Sequence, residues 1–89
     1  MGLFATGLWI MGVAITIVAP VIVNVLFIIS EIRNRYRYKE AAKAIIRSKD
    51  VKVVYVDVYD NNEKKLEELE IRSDKGIDNS ILIGQVLNL

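Results

Sequence analysis

Histidine and cysteine are both absent from the chain. Their absence removes the Ser-His and Cys-His nucleophile pairs, every disulfide and the usual zinc ligands. It also agrees with a reducing compartment. No phosphate-binding glycine loop occurs among the 5 glycines. Asp57, Asp60, Asn62 and Glu63 offer oxygen ligands, but the glycine and distal glutamate of a calcium loop are missing, so a solvated turn is the simpler account. No catalytic, cofactor or metal residue is assigned. A non-enzymatic protein with no small-molecule substrate is expected.

Charge is missing from one long stretch. Leu3 to Ile29 runs for 27 residues without a formal charge, and sixteen of them are Leu, Ile, Val or Phe. On an insertion scale that composition is worth about 5–10 kcal/mol before its polar residues are subtracted. The expectation is a transmembrane helix over residues 1–30. Straight, it would measure about 40 Å, against a hydrocarbon core of about 30 Å. A bend at Pro20, the chain's one proline, or an end protruding into the headgroups takes up the excess. A cleavable signal peptide fits poorly: no basic residue precedes the run and Val18-Ala19-Pro20 is a poor cleavage site. A re-entrant hairpin at Pro20 would leave backbone groups unpaired in lipid. Met1-Gly2-Leu3-Phe4-Ala5-Thr6 matches a myristoylation pattern formally, which adds little to a helix that already spans.

Small and polar residues within the run fall four apart. Gly12, Thr16, Pro20 and Asn24 are therefore expected to form a helix-packing stripe for self-association or a partner span. An ion relay lacks its parts, since no ionisable residue lies inside the run. After Glu31 come Arg33, Arg35, Arg37 and Lys39, which set an orientation with the C-terminal side in the cytoplasm. Tyr36 and Tyr38 among these basic residues, and Trp9 toward the other end, suit a membrane interface, and the cations suit anionic lipid headgroups. That footprint is too small for nucleic acid.

The rest of the chain divides by charge. Residues 31–49 carry a net charge of +5 and residues 50–89 a net charge of −4, a dipole concealed by the total of +1. Residues 31–49 read as a basic juxtamembrane helix, on the spacing of Ile32, Tyr36, Ala42, Ile45 and Ile46 and the helix formers around Lys43. Val51 to Tyr59 is β-branched and aromatic, apolar on both faces, and reads as a central strand. Asp60 to Glu63 is a turn, and Lys65 to Arg72 alternates as a strand with one wet face. Ile77 to Leu89 is apolar and stands between a third strand and a short helix. Residues 50–89 are close to the lower size limit for folding without a crosslink, so another surface has to cover them.

The fold class expected is a single-pass membrane protein. Its N-terminal transmembrane helix continues into the juxtamembrane helix and then a small α+β cytoplasmic module with an antiparallel two- or three-stranded sheet. The expected place is a bacterial inner membrane. Two functions suit this layout: an accessory or regulatory protein docking a larger membrane complex, or a self-associating membrane effector such as a small phage-encoded envelope protein. The partners expected are membrane lipid and a membrane protein or a second copy.

Overall fold

The computed structural model describes residues 15–36 and 40–89. Its centre is a hairpin. Strand β3 (Val53–Tyr59) returns as β4 (Lys65–Arg72) with Tyr55 opposite Glu70, Val56 opposite Leu69 and Asp57 opposite Glu68. Asp60 fastens the turn: its Oδ1 accepts from the Asn62 and Lys64 amides at 2.8 and 2.9 Å. Alternation along β3 sends Val54, Val56 and Val58 to one face, where they are fully buried.

Three further strands complete the sheet, in the order β1-β4-β3-β2-β5. Strand β2 (Lys43–Lys49) lies antiparallel to β3, and β5 (Val86–Asn88) lies antiparallel on its outer side. At the opposite edge β1 (Ile15–Val18) runs parallel to β4, with Ile15 beside Leu69 and Ile17 beside Ile71. The parallel course continues as a looser ladder. Ala19 donates to the Arg72 carbonyl at 2.7 Å, Val23 donates to that of Gly76 at 3.1 Å, and the Asp78 amide donates to the Val23 carbonyl at 2.8 Å.

One face of the sheet is covered by α1 (Val25–Arg35). Asn24 starts this helix with an extended backbone and a side chain that accepts from the Phe27 amide at 2.8 Å. Ile28 and Ile32, one helical turn apart, are fully buried with Ala19 and Val23 against Ala44, Ile46, Leu69, Ile71 and the β3 valines. Burying an aliphatic side chain is worth about 1.5–3 kcal/mol. Residues 15–29 of the uncharged segment therefore supply an edge strand of the sheet and the start of the helix that covers this core.

The structure overturns the single-pass reading. Within the run read as one span, residues 15–18 are a strand, Pro20 lies in a bend, and a helix begins only at Val25. The physical reason lies in the residues. Ile15-Thr16-Ile17-Val18 is β-branched and finds a ladder on β4, Pro20 disfavours helix at Ala19, and Asn24 caps a helix that starts after it. At 11 residues α1 is about 16 Å long. Among the described residues no helix is long and apolar enough to cross a membrane. The expected inner-membrane placement and its inside-outside orientation fall with the span.

The continuous juxtamembrane helix is corrected as well: α1 ends at Arg35, and Lys43 to Lys49 is strand. Helix propensity around Glu40 to Ala44 is a weak preference, and pairing of β2 with two neighbours outweighs it. The sheet is five-stranded and mixed. Ile77 makes an isolated parallel bridge with Val23, Asp78 to Gln85 form turns and loops, and β5 follows them.

Candidate functional site

From Ile15 to Ser30 the chain carries no charge. Alternation and the helical turn divide this stretch into buried and bare positions. Ala19, Val23 and Ile28 point into the core, while Val18, Val21, Ile22 and Leu26 are 75, 49, 54 and 75% exposed. Their backbone is fixed. Besides the ladder to β4, the buried Ser73 hydroxyl donates to the Val21 carbonyl at 2.6 Å. Gly76 supports the same ladder at φ +104, a conformation that favours glycine. The result is an uncharged rim that runs from Val18 at the end of β1 through the bend to Leu26 in the first turn of α1, its backbone tied on the inner side to β4 and the loop after it.

The open face of the sheet is built differently. Asp57 and Glu68 face each other directly across β3 and β4, a like-charge pair that is unfavourable alone. Arg47 donates to both, at 3.1 Å to Asp57 and 3.3 Å to Glu68, and Lys65 approaches both at 3.8 and 3.0 Å. Arg47 stands at a bulge in β2 between Ile46 and Ser48, which aims it across the sheet, and its guanidinium lies 5.3 Å from the Tyr55 ring centre. Each charge there already has its partner. Farther along, Lys43 reaches Glu63 at 2.6 Å and Arg72 pairs with Glu70.

A third cluster ties α1 to the sheet. Glu67 takes a bidentate contact from Arg35 at 3.1 and 3.2 Å and a hydrogen bond from the Tyr36 hydroxyl. Burial first, and then the Glu67 carboxylate, raise the Tyr36 pKa above the ordinary tyrosine value. Next to this clasp Ile32, Arg33, Tyr36, Ala41, Ala42, Asn61 and Leu89 line a cleft of about 550 Å³.

No family model matches this chain, and neither does any curated protein or solved structure.

Thr16, Pro20 and Asn24, spaced for a helical stripe, do not share a helix face. Thr16 is exposed on β1, Pro20 is exposed in the bend, and Asn24 is the α1 cap. Gly12 and Trp9 lie outside the described residues, as do Arg37, Tyr38 and Lys39. Of the remaining interface candidates, Arg33 lines the cleft while Arg35 and Tyr36 converge on Glu67. Among the described residues no cluster of three or more metal-ligating side chains occurs. The rim aliphatics were concealed by their own sequence, since the bare Val18, Val21, Ile22 and Leu26 are aliphatic like the buried Val23 and Ile28. The usable signal was an uncharged helix start: α1 has no acidic residue in its first turn.

Proposed function

We propose that this chain is a non-enzymatic accessory or regulatory domain that works by docking its uncharged β1 rim onto a protein. The observation that carries this reading is the exposure of Val18, Val21, Ile22 and Leu26 along one fixed stretch of backbone. Single exposed aliphatics are ordinary, but four within the nine residues from Val18 to Leu26 of an uncharged stretch point to an interaction surface. The rim also forgoes stabilisation available to it. Natural sheet edges usually carry a lysine, a proline or a bulge that blocks pairing, and Ile15-Thr16-Ile17-Val18 carries none within the strand. An acidic side chain at Leu26 would suit the helix dipole, yet an exposed leucine stands there.

The polar clusters support the same reading. Asp57, Glu67 and Glu68 are each engaged by cations, and no buried side-chain polar atom of the described residues lacks a hydrogen bond. They are arranged to hold strands and helix together.

Photo-crosslinking in cells tests the docking surface. A photoreactive residue at Val18 or Leu26 is expected to give a discrete protein adduct, either to another chain or to a second copy, and one at Lys64 in the hairpin turn is expected to give none. Equal labelling at all three positions, or none at Val18 and Leu26, would overturn the assignment.

A further inference from the structure

No further inference is drawn: the strongest candidate, the cleft of about 550 Å³ between the last turn of α1 and the start of β2, is bordered by Tyr36 and Ala41 on either side of residues 37–39, which lie outside the described residues, so nothing in the structure shows what fills it.

Discussion

The β3–β4 hairpin and the segment from Ile15 to Ser30 are both rich in Val, Ile and Leu, yet they use those residues in different ways. In the hairpin, aliphatic positions alternate with Asp57, Glu68, Glu70 and Arg72, so the face away from the core is charged and its charges are paired. In the N-terminal segment nothing is charged, and beside the exposed Thr16, Pro20, Asn24 and Ser30 the positions that miss the core include the aliphatics Val18, Val21, Ile22 and Leu26. One element is finished toward water. The other is finished only toward the core.

The largest expected effect asks whether the two regions share that core. Ile28 in α1 and Leu69 in β4 are both fully buried in it. Ile28→Ala and Leu69→Ala are each expected to cost about 2–5 kcal/mol. Chemical denaturation should show one cooperative transition shifted by both. An Ile28→Ala chain with unchanged stability would mean that α1 is an appendage rather than the second layer.

The hairpin was legible in the sequence because its charges print the strand period onto the chain. Glu68, Glu70 and Arg72 against Leu69 and Ile71 give both the face and the limits of β4. The apolar run gave no such mark, since a fully buried layer and a membrane span share a composition and hydropathy does not separate them. The distinguishing signs were local: β-branching at residues 15–18, Pro20 and the capping Asn24. An amide in an apolar run reads as a group looking for a partner, and here the partner is the Phe27 amide one turn away. Glu67 was illegible for another reason. It reads as one more wet-face carboxylate beside Glu68 and Glu70, yet the period of two sets it opposite Val58 on the face of Leu69 and Ile71, and the Arg35 and Tyr36 that hold its charge there come from a helix more than thirty positions away. Part of the candidate rim was thus in view as sequence, but its exposure depends on a ladder to residues more than fifty positions away.

The charged side of the comparison can be broken at Asp57. This carboxylate is buried and is engaged by Arg47 at 3.1 Å. Asp57→Ala is expected to destabilise the chain by about 1–3 kcal/mol. A cycle with Arg47→Ala, whose side chain is 43% exposed and partly screened, should recover only about 1 kcal/mol of coupling. Additive effects would show that the network is surface ornament.

Next in size is the cap. Asn24→Ala is expected to cost about 1 kcal/mol, and Asn24→Asp to cost nothing, because a carboxylate caps and also suits the helix dipole. A smaller, pH-dependent loss belongs to the Tyr36–Glu67 clasp. Its folded-state pKa is raised above the ordinary value of 10.0, so the contribution is complete below that pH and disappears as pH climbs from 10 toward the raised folded value. Denaturant midpoints measured from about pH 9 upward should fall more steeply for the wild type than for Tyr36→Phe. Parallel slopes would remove Tyr36 from the clasp.

The smallest effect on stability is the sharpest probe of the rim. Leu26 is 75% exposed in the first turn of a helix that has no acidic residue there. For an isolated chain Leu26→Glu should leave stability within about 0.5 kcal/mol of wild type or raise it by a few tenths through the dipole. The same substitution puts a charge into the proposed docking surface, where it must be desolvated on contact. Thermal melts at low concentration should therefore show no loss, while the Val18 crosslink weakens. A large loss of stability at low concentration would mean that Leu26 is covered within its own chain, and the contrast between a finished and an unfinished surface would disappear with it.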